Sequence, residues 1–542
     1  MAKPVATPQQ RERGGNILVG AFILTASSLL TRLIGFVFRI YLSNKLGTEG
    51  IGLYQLVFSI YVLGSTIVTA GISVSVCKLV AEEIARHKLG NARTILKKAV
   101  RLSGCLGVCV GVIIFFLSEP IAIYMLKDPR ATASLRILSL VYPVVGITAC
   151  YSGYFYAVGR IYKPVFAQVF EQLVRIGVTL AVLDRFLDGG METGCIGAFA
   201  GVVAGELLSC LSIWILYRLD SSRRESEHSL PDRRFLGGKA YRMILSLSVP
   251  LALSSYLNSV LHTMENVLIP QRLRLFGMTN EAALSVYGMI KGMVMPMIYF
   301  PSSLLVSIST MLVPEISKAN AVNNRQRVDA AVSRAFQITL LLCFAVVGGL
   351  LIFADGLGQT VYHSSEVGQM LRLVSLASPL IYLQIVITGL LNGLGLQTTV
   401  MRNGICESVA RVVMIWMLLP KFGFQAYLWT IILCNLLSAS LNIAALYKAT
   451  TLSVNLRRHL IFPLLSAGIS CLLVRWLCLS VLASHLSQAM QLLLGIPLLF
   501  IIYFALILLT GCLTSDDIGW IKEKIKRRKP PAAPAPEAAG SA

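Results

Sequence analysis

The sequence predicts an all-α polytopic membrane protein of about fourteen transmembrane helices, built as two parallel-repeat six-helix lobes with two extra C-terminal helices. Three observations predict it. Of 542 residues, 56% are hydrophobic and 14% charged, with a mean hydropathy of +0.72, whereas soluble domains carry about 25% charged residues. Fourteen stretches approach or exceed the length of about 20 mostly apolar residues that a bilayer crossing needs. The motif Glu171-x-x-x-Arg175 recurs as Glu407-x-x-x-Arg411, 236 residues later.

Residues 1–16 are mostly polar and read as a cytoplasmic N-terminus; the apolar stretch that follows is too long for a signal-peptide core. The first lobe, 17–218, holds stretches near 17–42, 51–81, 99–118, 136–158, 164–186 and 193–218. A basic cytoplasmic linker, 219–239, follows. The second lobe, 240–447, holds stretches near 240–266, 281–312, 332–353, 368–395, 400–419 and 424–447. Residues 448–512 hold the last two, near 459–481 and 488–512. The tail, 513–542, is basic and then Pro/Ala-rich, a composition that does not build a packed core.

A formal net charge of +22 would suit a nucleic-acid partner, but its distribution argues for a membrane instead. With the N-terminus taken as cytoplasmic, 31 of the 48 Lys and Arg fall on the cytoplasmic side, span ends included, and 7 on the other. This is the positive-inside pattern, which puts both termini in the cytoplasm and brings the basic segments to anionic lipid. The twelve cysteines contain no C-x-x-C, and the six histidines are dispersed. Neither set reads as a metal site or a disulfide framework. No Walker A motif is present. No cofactor is expected, and a coupling ion, Na+ or H+, stays open.

Set without gaps, 135–176 and 371–412 share nine identities, among them Arg136/Arg372, Ser139/Ser375, Pro143/Pro379, Gly153/Gly389, Gly159/Gly395, Glu171/Glu407 and Arg175/Arg411. Shared Arg, Pro, Gly and Glu in register are not a by-product of hydrophobic composition. Spans 1–6 therefore match spans 7–12. An even number of spans per half keeps both halves in the same orientation, a parallel repeat about an axis along the membrane normal.

Repeat transporters bind substrate between their lobes near the midplane, so polar stripes on the spans facing the seam are the candidate site. The first span carries Ser28, Arg32, Gly35 and Arg39 on one helical face, and the seventh carries Ser254, Asn258, His262 and Glu265. Lys291 lies within the eighth span ahead of Pro296 and Pro301, where a broken helix beside a cavity is expected. Charge inside a bilayer costs about 2.5–3.5 kcal/mol per residue on insertion scales, so these are functional candidates by default. Arg39 also suits an interfacial position from which its long chain reaches the headgroups. The pairs Glu171/Arg175 and Glu407/Arg411 neutralise themselves at i,i+4 and read as internal braces of the lobes or as coupling pairs. Glu206 and Arg475 are lone charges in their spans.

The strings TRLIGFVFR (31–39), LGTEGIGLY (46–54) and KLVAE (78–82) resemble the stage V sporulation protein B branch of the multidrug/oligosaccharidyl-lipid/polysaccharide (MOP) exporter superfamily, which is related to the lipid II flippases. The resemblance covers spans 1–12 and extends to the fourteen-span count. It implies a V-shaped central cavity and translocation of an undecaprenyl-pyrophosphate-linked glycan from the inner to the outer leaflet, in peptidoglycan or related cell-wall polysaccharide synthesis and sporulation. It also implies cell-wall synthesis proteins as partners. Arg32 matches a cavity arginine of lipid II flippases, and Lys291, five residues before Pro296, is similar in place and charge to another. The Arg pair that those flippases carry within the second span is missing here. On this resemblance Arg32, Arg39 and Lys291 are the pyrophosphate-binding residues, with Ser28, Asn258, His262 and Glu265 as polar lining. Charge-assisted hydrogen bonds from Arg and Lys would replace the hydration of a pyrophosphate.

Two other function classes stay open. One is a cation-coupled multidrug antiporter, which would want an acidic site and could find one in Glu206 and Glu265. The other is a membrane-embedded glycan polymerase or glycosyltransferase, which would want catalytic carboxylates near the surface; Asp128, Asp184, Asp188 and Asp355 form no recognisable motif.

Overall fold

The computed structural model of the protein describes residues 8–222, 238–450, 457–478, 480 and 487–512, with side chains from residue 29 onward except at 221, 222, 239 and 311. Most of the basic linker and the whole C-terminal tail therefore lie outside the described residues. Every regular element among those described is helical.

The first half runs α1 (Pro8–Thr69), α2 (Ile72–Ala85), α3 (Leu89–Pro120) with a π-helical turn Ile121–Leu126, α4 (Ala131–Ser139), α5 (Tyr142–Ala157), α6 (Tyr162–Leu187) and α7 (Met191–Ser222). The second runs α8 (Lys239–Leu275), α9 (Asn280–Gly288), a π-helical turn Met289–Val294, α10 (Met295–Ala321), α11 (Arg325–Tyr362), α12 (Ser365–Ser375), α13 (Ser378–Gly393) and α14 (Gln397–Ala449). α15 (Phe462–Leu477) and α16 (Gln488–Leu509) close the chain. The first helix begins at Pro8, inside the polar segment expected to precede the membrane.

Eleven helices are long and apolar enough to cross a membrane, or twelve when the bent pair α12–α13 counts as one span. The expected fourteen is not reached, and the difference lies in two runs. Leu29–Ala85 is 57 residues and Gln397–Ala449 is 53, each more than twice the roughly 20 residues of one crossing. Each is broken inside by a glycine off the helical dihedrals: Gly47 (φ 71°, ψ −178°) and Gly423 (φ 58°, ψ −138°). Gly47 falls between the stretches expected at 17–42 and 51–81, and Gly423 between those at 400–419 and 424–447. Helical hydrogen bonding continues on both sides of each break with no intervening loop, so two expected stretches join into one element.

Helices α2–α7 pack mainly on one another, as do α8 and α10–α14; α1 and α9 pack across the two bundles, and α15 and α16 pack on each other and on α11. The two bundles meet where α1, α2 and α3 touch α8, and where α1 touches α9, the turn Met289–Val294 and α10. The approach is closest at the Gly47 end. There a methyl group on Gly288 would overlap the Thr48 carbonyl oxygen, and one on Gly52 the Leu284 carbonyl oxygen. At the opposite end a methyl on Gly71 would overlap the Ser248 carbonyl.

The internal repeat is visible in the helix bounds. α4 and α12 end at Ser139 and Ser375, α5 and α13 begin at Tyr142 and Ser378, and these end at Ala157 and Gly393. Each pair is separated by 236 residues. Pro143 and Pro379 sit in the first turn after the break, where a missing N–H does no harm. Ser139 Oγ donates to the Arg136 carbonyl at 2.6 Å, and Ser375 Oγ to the Arg372 carbonyl at 2.7 Å. Both helix pairs then stop at a left-handed glycine, Gly159 (φ 75°) and Gly395 (φ 82°). A side chain there raises the energy by about 1–2 kcal/mol, and no neighbour crowds either position. Gly395→Ala should therefore lower stability by about 1–2 kcal/mol through backbone strain alone, read as a drop in melting temperature with transport per folded molecule kept.

Candidate functional site

Three sets of polar residues lie among the helices, and the sequence-predicted residues divide among them.

The first set is in the second bundle. Glu265 on α8 is 3% exposed. It accepts from Lys291 Nζ at 2.7 Å, with Arg411 Nη1 and His262 Nδ1 each at 3.6 Å. Arg411 also pairs with Glu407, one turn before it on α14. Lys291 reaches Glu265 from the π-helical turn Met289–Val294, the broken segment expected ahead of Pro296. Four formal charges, two of each sign, thus join α8, the turn and α14. This is how buried charge is tolerated: each carboxylate has a cation within ion-pair reach.

The second set is its counterpart in the first bundle, with different third parties. Glu171 and Arg175 pair along α6 at 2.5 Å. Arg175 lies 4.0 Å from Glu206 of α7, whose Oε1 accepts from the Tyr61 hydroxyl of α1 at 2.8 Å. Glu206, a lone charge in the sequence, is tied to the repeat pair. Two carboxylates here face one guanidinium, so this set carries a formal −1 where the other is neutral.

The third set lies on the seam between bundles. Hydroxyl contacts run along α1 and α8: Thr263 to the Ser59 carbonyl at 3.4 Å, Ser259 to Thr66 at 3.4 Å and Tyr256 to the Ile67 carbonyl at 3.1 Å. Ser248 donates to Ser75 of α2 at 3.0 Å. Between the helices lies a cavity of about 590 Å³. Asn258 and His262, two of the predicted lining residues, line it, and Glu265 does not. Gln55, Phe58 and Asn266 line it as well, and sequence reasoning missed them. Gln55 carried a signal, an amide inside the otherwise apolar stretch LYQLVFSIYV (53–62), whereas Phe58 is one apolar residue among many and Asn266 directly follows Glu265.

Arg32 is exposed and Arg39 half-buried, both on α1. Tyr54 and Tyr362 are the electrostatic neighbours of Arg39. Among the described residues no carboxylate lies within ion-pair distance of either arginine, and neither lines the seam cavity. Ser28 lies outside the residues whose side chains are described. At the Gly47 end, Arg130 binds Asp128 at 2.7 Å and Glu49 at 2.8 Å. The hydrogen bonds that Arg130 donates to Asp128 raise its pKa above the ordinary value and hold it charged. Across the seam, Arg274 of α8 donates to the Lys127 carbonyl at 3.2 Å, and Gln271 donates to the Met125 carbonyl.

Two helical bundles joined along a polar seam with a cavity between them are the architecture of a multi-pass membrane carrier, and the comparisons bear this out. The chain belongs to the polysaccharide biosynthesis protein family, whose pattern matches residues 17–320. It is 28% identical to stage V sporulation protein B of Bacillus subtilis (strain 168) over 82% of this chain and 86% of the relative. It is 24% identical to the lipid II flippase MurJ of the same organism, over 65% of this chain and 66% of that one. Among solved structures, the inward closed conformation of lipid II flippase MurJ superimposes with a TM-score of 0.65 at 13% identity, covering 89% of this chain and 98% of that one. An inward-facing multidrug resistance MATE family transporter of the MOP superfamily gives 0.60 at 19%, covering 77% and 96%. The fold is that of the MOP superfamily, as the resemblance in residues 31–82 implies.

Proposed function

We propose that the protein is a flippase that carries an undecaprenyl-pyrophosphate-linked oligosaccharide, a peptidoglycan precursor or a related cell-wall unit, from the inner to the outer leaflet of the bacterial cytoplasmic membrane. The observation that carries the reading is the pair Arg32 and Arg39. Two guanidinium groups seven residues apart share one face of α1, and no carboxylate neutralises either among the described residues. Unpaired cations in a membrane-crossing helix are costly and call for an anion. A pyrophosphate suits guanidinium groups through paired, charge-assisted hydrogen bonds. Family membership and the relatives, a sporulation protein and a lipid II flippase, point the same way.

In this reading the two bundles are the lobes and rock about the seam, both termini face the cytoplasm, and the Gly47 end is the outer end. The basic segments at the inner face contact anionic lipid, and cell-wall synthesis proteins take the delivered unit. Lys291 differs from the two arginines in being already paired with Glu265, so it would meet a phosphate only by sharing or leaving that carboxylate. A cation-coupled multidrug antiporter gains no support from the seam cavity, since no Asp or Glu is among its thirteen lining residues.

The test is translocation of defined undecaprenyl-pyrophosphate glycans in proteoliposomes, with and without an imposed potential or a Na+ or H+ gradient. Arg32→Ala and Arg39→Ala should each lower kcat/KM by about tenfold or more, the loss of one charge-assisted contact of roughly 1.5–3 kcal/mol, at unchanged abundance. Normal transport by both variants would sink the cationic-site reading.

A further inference from the structure

The seam cavity has a chemistry that the α1 arginines do not share. We infer that it is the subsite for the glycan portion of the head group, taking one or two uncharged sugar units that carry hydroxyl and acetamido groups. The inference rests on the flippase reading and adds to it a second binding element with its own specificity.

Three carboxamides carry the argument. Gln55 of α1 and Asn258 and Asn266 of α8 all line the cavity, and among the described residues none has a hydrogen-bond partner in the protein. Gln55 Nε2 is fully buried with no acceptor in reach, and a half-turn about the terminal bond of the amide would bring it to the cavity. Its neighbours behave differently: Ser59, Thr66, Ser259 and Thr263 bond across the seam. Among the described residues, the idle lining groups are therefore the three amides and the Ser255 hydroxyl, and the other lining hydroxyls already have partners. A buried donor without an acceptor is destabilising, and such groups in folded proteins are regularly completed by a ligand or by water.

The class of ligand follows from the donor and acceptor set. A carboxamide offers both a carbonyl acceptor and an N–H2 donor, the complement of a sugar hydroxyl or an acetamido group, each of which also offers both. None of the thirteen lining residues is Asp, Glu, Lys or Arg, so the cavity holds no fixed charge to select a phosphate or a cationic drug. Phe58 supplies an apolar face against which the C–H face of a pyranose can rest. The volume of about 590 Å³ equals that of about twenty water molecules at about 30 Å³ each and falls within the usual range for small-ligand sites. The three amides come from both bundles, so a sugar bound here would touch both sides of the seam.

The test compares two lipids in proteoliposomes: undecaprenyl pyrophosphate bearing an N-acetylated disaccharide, and undecaprenyl pyrophosphate alone. For Gln55→Leu and Asn258→Leu, the preference for the glycan-bearing lipid, as a ratio of kcat/KM values, should fall about tenfold, as for one lost hydrogen-bonding contact. In Arg32→Ala the same ratio should hold while both rates drop. Saturation-transfer NMR of the free disaccharide with detergent-solubilised protein should show contact in the wild type and lose it in Gln55→Leu, with melting temperatures confirming that the variants are folded. An unchanged ratio in both leucine variants, with wild-type translocation intact, would overturn the sugar subsite and leave the flippase reading standing. A wild type that moves neither lipid would overturn both.

Discussion

Glu265→Ala is expected to be the most destabilising single change in the membrane interior, lowering stability by about 3–5 kcal/mol, the range for removing one partner of a buried ion pair. The carboxylate is the junction of the second bundle: Lys291 at 2.7 Å, Arg411 and His262 at 3.6 Å. Arg411 keeps Glu407 when Glu265 is gone, but Lys291 keeps no acidic partner among the described residues. Its ammonium then stays charged in a poorly solvated place or pulls the turn Met289–Val294 away from α8. The second substitution in Glu265→Ala/Lys291→Met removes the stranded charge and should restore most of the loss, since an apolar pair can replace a buried ionic one. Thermal unfolding in detergent measures both. If Glu265→Ala melts with the wild type, the ion pair does not hold these helices together. If the double variant is stable but does not transport, Lys291 has a role beyond bracing.

Gly288→Val should have the second-largest effect, and on access rather than on folding. The Cβ of any larger residue at 288 overlaps the carbonyl of Thr48 and the backbone of Gly52. These are backbone atoms, which cannot turn aside as a side chain can. Overpacking typically costs about 1–3 kcal/mol, and a penalty confined to the closed Gly47 end shifts the balance toward a parted seam by about 5–150-fold. Leu284 is fully buried beside this contact. A cysteine at 284 should therefore react with maleimide faster when Gly288 is valine, and translocation should fall because the closed state is rarely visited. Equal labelling rates with and without Gly288→Val would show that the seam does not open at this end.

Much of this was legible in the sequence where a residue acts on its own backbone. Pro143 and Pro379 announce the bends, Gly159 and Gly395 the left-handed stops, and Ser139 and Ser375 the hydroxyl bonds that end α4 and α12. The i,i+4 pairs Glu171/Arg175 and Glu407/Arg411 form for the same local reason. What was not legible depends on how helices are rotated against each other. Nothing in the motif says that Arg175 meets Glu206 while Arg411 meets Glu265, or that Lys291 shares the second site. Gln55 and Asn266 look like isolated amides until α1 and α8 stand side by side. The helix count departed from fourteen because Gly47 and Gly423 break their helices without a loop to mark the place.

The contacts between α1 and α8 have a mechanical consequence. Two of them end on main-chain carbonyls, those of Ser59 and Ile67, and on any one face a helix presents a further carbonyl about every 5.4 Å turn. A hydroxyl that slides off one oxygen soon finds another. Interlocked leucines or a network of matched charges would instead resist displacement until the whole set let go. The contact between α1 and α8 is thus closer to a lubricated bearing than to a latch: friction along it is low, and fixed registration comes from its ends, through the close glycine contacts and the Arg274 and Gln271 bonds to the Lys127 and Met125 carbonyls.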